Sequence, residues 1–195
     1  MNSLMDAEGS GQQRDVIMAG TGGRGVLVAA RTLALAATSC YPHVSWLPSY
    51  AVSQRGGQCE CTVVFDTEEV ASPLVLRSGA AVIFDSVQLK PYEGRVHPGG
   101  VLVVESTDLE NKVNIQGVGV YMVPALKLAA ELGEVTSLNF ILLGAYLGAT
   151  GALPVEAVEA EVRKRYAARK DVVTGNLRAL SKGLEFIQGQ LKSGG

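Results

Sequence analysis

Cysteine is nearly missing from this 195-residue chain, which has only Cys40, Cys59 and Cys61. An odd count with no visible secretory leader points to reduced thiols in a cytoplasmic protein. Iron–sulfur clusters normally take four thiolates, so this chain is expected to hold none unaided. Histidine is rarer still: His43 and His97 stand apart, with no spaced partner for a tetrahedral metal site. Aromatic residues make up 6% of the chain, too few for a β-sandwich packed on large rings. Neither sign of charge dominates. The first hundred residues carry 7 basic and 9 acidic side chains and the rest 10 of each, for a net charge of −2. With no basic half to neutralise phosphates, nucleic acid is not an expected partner. No apolar run reaches the roughly 18 residues of a membrane span, so no membrane is expected either.

What the chain does have is glycine, 23 residues of it, in a background 47% hydrophobic and 18% charged. That composition supports one packed core in a domain of ordinary size. Residues 1–13 are polar and read as a disordered tail; residues 14–192 read as a single domain. Arg14–Ala19 is a short strand running into a glycine turn, and Val26–Ala37, rich in alanine and leucine, is the helix that follows. Val44–Leu47 reads as a second strand. Gln58–Phe65 alternates small or polar with apolar residues, and a turn at Asp66-Thr67 with the short arm Glu69–Ala71 suggests a β-hairpin. Ala80–Asp85, Val101–Glu105 and Val118–Val123 are near-continuous apolar runs, as expected of strands covered on both faces. Past Pro124 the period becomes helical, over Ala125–Leu132, Leu138–Leu147, Val155–Ala167 and Val172–Leu191. The expected fold is α/β: a three-layer α/β/α sandwich whose sheet is mostly parallel with a β-hairpin, and a helical C-terminal third.

Gly20-Thr21-Gly22-Gly23-Arg24-Gly25 stands between the first strand and the first helix. Glycine there allows positive φ without steric cost and lets backbone N–H groups approach an anion. The helix dipole adds about half a positive charge at that end. The run formally meets the dinucleotide fingerprint, yet no acidic residue closes the second strand, where Pro48-Ser49-Tyr50 stands instead. A nicotinamide or flavin is therefore disfavoured. Two compatible readings stay open: Gly20, Gly22, Gly23, Arg24 and Gly25 bind an anion, or the glycines let helix and strand pack closely. Pro48–Gly57 is the second unusual stretch. Its Ser49, Tyr50, Gln54, Arg55, Gly56 and Gly57 suit recognition of a carboxylate or phosphate, a tight fit against another chain, or a plain solvated turn. Cys59 and Cys61 face one side of a strand and read as small buried hydrophobes. Asp85 ends a strand where ligands of α/β sheets gather, and equally suits a helix cap or loop anchor. Arg163-Lys164-Arg165 and Arg169-Lys170 read as a solvated helix face. No nucleophile–base pair stands out, so no catalytic residue and no metal ligand is assigned.

Taken in order, these pieces resemble one known family. Gly20–Gly25 opens a helix, and Pro48-Ser49-Tyr50 precedes Arg55-Gly56-Gly57 and Cys61-Thr62-Val63-Val64. Ser72-Pro73, Pro98-Gly99-Gly100, Val123-Pro124-Ala125, and Asn139 ahead of Leu143-Gly144-Ala145 follow. This series is similar to the gamma subunit of the 2-oxoacid:ferredoxin oxidoreductases, over Asp15 to Gly183, above all the stand-alone form of 2-oxoglutarate and ketoisovalerate enzymes. The resemblance implies an α/β/α domain in a multi-subunit enzyme that converts a 2-oxoacid, coenzyme A and oxidised ferredoxin to acyl-coenzyme A, carbon dioxide and reduced ferredoxin. Thiamine diphosphate and iron–sulfur clusters would sit on partner subunits, and ferredoxin would be met through the complex. This chain would serve assembly and a coenzyme A contact at Gly20–Gly25, with Ser49, Tyr50, Gln54–Gly57 and Asn139 on the shared surface. No cofactor is expected on this chain alone. The isolated chain is expected to be inactive, with a homo-oligomer as its state apart from its partners. Two features depart from the family pattern. Arg24 stands where glutamine is common, and Ala51-Val52-Ser53-Gln54 replaces the more frequent glycine-x-glutamate-x, its Ser53-Gln54 being similar to the indolepyruvate branch. The alternative expectation is a stand-alone nucleotide- or dinucleotide-binding α/β enzyme using the same turn.

Overall fold

The computed structural model describes residues 14–50, 57–70, 72, 74–133 and 137–193. The tail 1–13 and Gln54, Arg55 and Gly56 lie outside the described residues. The elements run β1 (Arg14–Thr21), α1 (Val26–Ala37), β2 (His43–Tyr50), β3 (Gln58–Asp66), β4 (Ser78–Ile83), β5 (Val96–Glu105), β6 (Gly119–Val123), α2 (Ala125–Glu131), α3 (Leu138–Thr150), α4 (Val155–Arg165) and α5 (Lys170–Ser193). The strands lie side by side in the order β2-β3-β1-β4-β5-β6. β1, β4, β5 and β6 pair in parallel, while β3 is antiparallel to both β1 and β2. All strands but β3 therefore point one way. A β-hairpin is present, but its arms are β2 and β3; the expected arm at Glu69 and Val70 forms no strand, and Ala71 lies outside the described residues. The cause is local: Asp66 Oδ1 accepts the amide of Glu68 at 3.1 Å, and this side-chain turn carries the chain out of the sheet.

Alternation along the strands sorts the core onto two faces. Val16, Met18, Cys61, Val63, Val82 and Val103 meet α1 to α5 on one side. Ile17, Ala19, Ala81, Ile83, Leu102 and Val104 face the other, covered by Leu89, Tyr92, Leu109, Val113 and Ile115. The expected third layer is thus built from the 3-10 turns at Ser86–Gln88 and Lys90–Tyr92 and the irregular link to β6, with all five helices gathered on the opposite face. The crossover β1–α1–β2 passes on the helix side toward one edge of the sheet, whereas β4–β5 and β5–β6 pass on the other side toward the other edge. Opposite directions on opposite faces share one hand, as right-handed crossovers require. Growth of the sheet therefore reverses between β1 and β4. The carboxyl ends of those two neighbours form the crevice where α/β sheets take ligands.

Candidate functional site

β1 ends on Thr21 at that crevice, and the chain turns through Gly22, Gly23 and Arg24 into α1. Gly23 has φ +97° and Gly25 φ +81°, left-handed values that glycine takes without strain. A methyl group on Gly25 would lie 2.8 Å from Asn139 Nδ2 and one on Gly20 2.8 Å from Phe84 Cβ, whereas at Gly23 it would meet no atom of the described residues within 4 Å. Gly20 and Gly25 thus serve close packing, and Gly23 serves the turn itself. α1 begins without a side-chain cap and without an acidic residue in its first turn. Its leading N–H groups and positive dipole end are left to an external acceptor.

Asp85, just past β4, organises the turn. Its Oδ2 accepts from Thr21 Oγ1 at 2.8 Å and lies 3.7 Å from Arg24 Nε, while Oδ1 accepts from Val87 N at 3.2 Å and caps the first 3-10 turn. It is therefore both cap and loop anchor. The Arg24 side chain is 38% exposed against 15% for Asp85, so the guanidinium is steered to the turn yet open to solvent. At that exposure the pair contributes on the order of 1 kcal/mol or less, and an incoming phosphate can compete for it.

Strand register brings the second unusual stretch to the same place. Thr21 faces Gln58, Tyr50 faces Cys59, and Gly22 N donates to Gly57 O at 2.9 Å. Ser49, the Tyr50 backbone and Gly57 thus converge on the crevice end of the sheet, while the central loop residues fall outside the described ones. Asn139 stands elsewhere than on an open loop. It is buried in the first turn of α3, where its Nδ2 makes a long bond to Gly25 O at 3.5 Å and backs the glycine turn.

A polar network beside the crevice escaped the sequence reading. Gln58 Nε2 donates to Tyr92 Oη at 2.8 Å, Tyr92 Oη donates to Glu60 Oε2 at 2.7 Å, and Arg95 Nη1 donates to the same carboxylate oxygen at 2.6 Å. Burial, then the bond to Glu60, holds the Tyr92 proton on well above the usual phenol range. Its signal in the sequence is Glu60, the single charged residue in the run from Gln58 to Phe65. Burial pushes the Cys61 thiol up to about 12, helped by Cys59 and Glu60 beside it, and raises Cys59 as well. Both thiols pack rather than react. Among the described residues no group of three or more His, Cys, Asp or Glu is placed to hold a metal, and no helix is long and apolar enough to cross a membrane. The arrangement can grip an anion; it offers no nucleophile with a base beside it.

The family model for pyruvate ferredoxin/flavodoxin oxidoreductase matches residues 15–186. The ketoisovalerate oxidoreductase subunit VorA of Methanothermobacter marburgensis is 35% identical over 181 residues, which cover 91% of this chain and 37% of VorA. The 2-oxoglutarate synthase subunit KorC of the same organism is 28% identical over 183 residues, covering 90% of this chain and 97% of KorC. The chain thus spans little more than a third of VorA and nearly all of KorC. Two solved structures share its fold. The gamma subunit of a keto/oxoacid ferredoxin oxidoreductase from Geobacter sulfurreducens superposes with a TM-score of 0.77 at 24% identity, over 91% of this chain and 98% of that one. The 2-oxoglutarate:ferredoxin oxidoreductase from Magnetococcus marinus, with 2-oxoglutarate, coenzyme A and succinyl-CoA bound, gives 0.83 at 19% identity, over 91% and 31%.

Proposed function

The chain belongs to the pyruvate ferredoxin/flavodoxin oxidoreductase family, and from that premise we propose that it is the gamma subunit of a cytoplasmic, multi-subunit 2-oxoacid:ferredoxin oxidoreductase. In this reading the complex converts a 2-oxoacid and coenzyme A to acyl-coenzyme A and carbon dioxide while reducing ferredoxin. The supporting observation is the family match over residues 15–186 joined to a crevice that can grip an anion and carries no nucleophile–base pair among the described residues. Thiamine diphosphate and iron–sulfur clusters belong to partner subunits. The residues here do not fit a cluster, since Cys40 is exposed beyond the far end of α1 while Cys59 and Cys61 point toward the helix face of the sheet. A stand-alone dinucleotide enzyme lacks its ribose carboxylate, because β2 ends on Ser49 and Tyr50.

Coenzyme A does fit the crevice. Gly20, Gly22, Gly23, Arg24 and Gly25 would hold one of its phosphates, with the uncapped N–H groups of α1 and the Arg24 guanidinium as donors. When bound, coenzyme A supplies the thiol that takes the acyl group. Ser49, Tyr50, Gln54, Arg55, Gly56 and Gly57 belong in this reading to the surface shared with the thiamine-bearing chain, and Asn139 supports the turn from behind. The purified chain alone is expected to show no oxidoreductase activity and to gain it on addition of its partners; turnover by the isolated polypeptide overturns the proposal. Calorimetry with coenzyme A on the assembled enzyme tests the crevice. Arg24→Ala is expected to weaken binding about three- to tenfold, and unchanged affinity removes Arg24 from it.

A further inference from the structure

The junction of α4 and α5 gathers cations that the described residues do not answer. Arg163, Lys164, Arg165, Arg169 and Lys170 fall within residues 163–170. Arg163 pairs with Glu159 at 2.9 Å, and no ion pair among the described residues involves the other four. Arg165 and Arg169 each hold the guanidinium carbon near the ring of Tyr166, at 5.7 and 5.5 Å from its centroid, so two like charges share one aromatic ring. Among the described residues Arg165 Nη1 is buried without a hydrogen-bond partner, a state that costs free energy until an acceptor arrives.

Helix electrostatics explain only half of this. Cations in the last turn of α4 answer its negative end, but Arg169 and Lys170 stand at the start of the 24-residue α5, where the positive end disfavours them. Asp171 is the acidic residue of that first turn, and it forms no ion pair with them among the described residues. The start of α5 and the unsatisfied Arg165 Nη1 are thus set for something negative. The junction also lies at the crevice end of the molecule. Tyr166 packs edge-on to Phe140 at 6.5 Å, and the preceding residue, Asn139, crowds Gly25.

We infer that Arg165, Tyr166 and Arg169 form a docking surface for a carboxylate-bearing segment of a partner subunit. The inference rests on the subunit reading above. A carboxylate matches the planar fork of a guanidinium with two parallel hydrogen bonds. It would draw Arg165 out of its covered position and satisfy Nη1. The Tyr166 ring would then floor the contact, in keeping with the enrichment of tyrosine and arginine at interface anchors. Lys164 and Lys170 on the rim would speed the approach of an acidic partner.

The test follows dissociation of this chain from the co-purified complex by mass photometry on dilution, across a salt series. Joint Arg165→Gln and Arg169→Gln substitution is expected to raise Kd roughly tenfold at low salt and to flatten its salt dependence. Arg163→Gln, whose guanidinium is already paired with Glu159, is expected to leave both unchanged. Circular dichroism melting checks that the double variant folds; if it does not, Arg169→Gln alone is expected to raise Kd about threefold with a shallower salt slope. Equal Kd and equal salt slope in wild type and folded variant overturn the docking surface and leave the subunit reading standing. A loss just as large from Arg163→Gln marks bulk charge and overturns it too. A wild-type chain that enters no complex overturns the subunit reading itself.

Discussion

Gly25 meets two constraints where Gly23 meets one. Both hold positive φ, but only at Gly25 would an added methyl lie within 3 Å of a buried side chain, that of Asn139. A left-handed conformation costs a non-glycine residue about 1–2 kcal/mol, and overpacking a filled site adds about 1–3. Gly23→Ala is therefore expected to lose roughly 1–2 kcal/mol and Gly25→Ala about 2–5, read from urea midpoints at constant slope. Adding Asn139→Ala to Gly25→Ala should restore part of the loss, since residues in contact couple. Equal losses at the two glycines with no coupling to Asn139 would sink this account. The sequence alone shows why the turn wants glycine. It marks Asp85 as a cap or loop anchor, but it cannot show that Asp85 and Asn139 meet the turn, because contacts across 64 and 114 residues leave no local pattern.

Between helices, glycine works against its own propensity. α3 and α5 cross so closely that a methyl on Gly144 would fall 2.0 Å from Leu180 O, and one on Gly183 1.9 Å from Ile141 O. Helix propensity favours alanine over glycine by up to about 1 kcal/mol. Forcing backbone against backbone outweighs that gain, so Gly144→Ala and Gly183→Ala should each lose about 3 kcal/mol or more in thermal unfolding. In the same α5, a methyl at Gly189 meets no atom of the described residues within 4 Å, and Gly189→Ala is expected to add about 0.5–1 kcal/mol. A common sign at all three positions would rule out the close crossing. Elements of this kind were readable where periodicity and punctuation agree: α1 spans Val26–Ala37 as expected, and α3 and α4 start at Leu138 and Val155. The sheet was harder. Pro48 reads as the end of a strand, yet β2 is an edge, where a missing N–H can face outward, and it continues to Tyr50. Pro98-Gly99-Gly100 reads as a turn but lies inside the irregular first half of β5, which starts at Val96. Periodicity identifies β3 as a strand without saying what it pairs with, and its partners are β1 and β2 rather than the segment that follows it.

At the scale of the whole molecule, the reversal of sheet growth between β1 and β4 gives the two ends of the domain different characters. One end collects Gly20–Gly25, Gly57, Asp85 and Asn139, segments far apart in the chain, around an uncapped helix start. The other is closed by its own bonds: Arg14 donates to Ala152 O at 3.0 Å and to the Tyr41 hydroxyl, and Gly79 N donates to Asp15. In the proposed reading an anionic ligand enters at the first of these ends, and hydrogen exchange on the assembled enzyme tests this. With coenzyme A at about a hundred times its Kd, amides of Gly22 to Val28 that exchange through opening of the bound state should slow by up to about a hundredfold. Amides of Gly79 and Ala152 should keep their rates. The α4–α5 junction should respond to loss of the partner subunits and not to coenzyme A, if a partner carboxylate is what its cations bind. Protection at Gly79 and Ala152 with none at the glycine turn would place the ligand at the wrong end of the sheet, and no adjustment of Arg24 or Asp85 could rescue the crevice as its site.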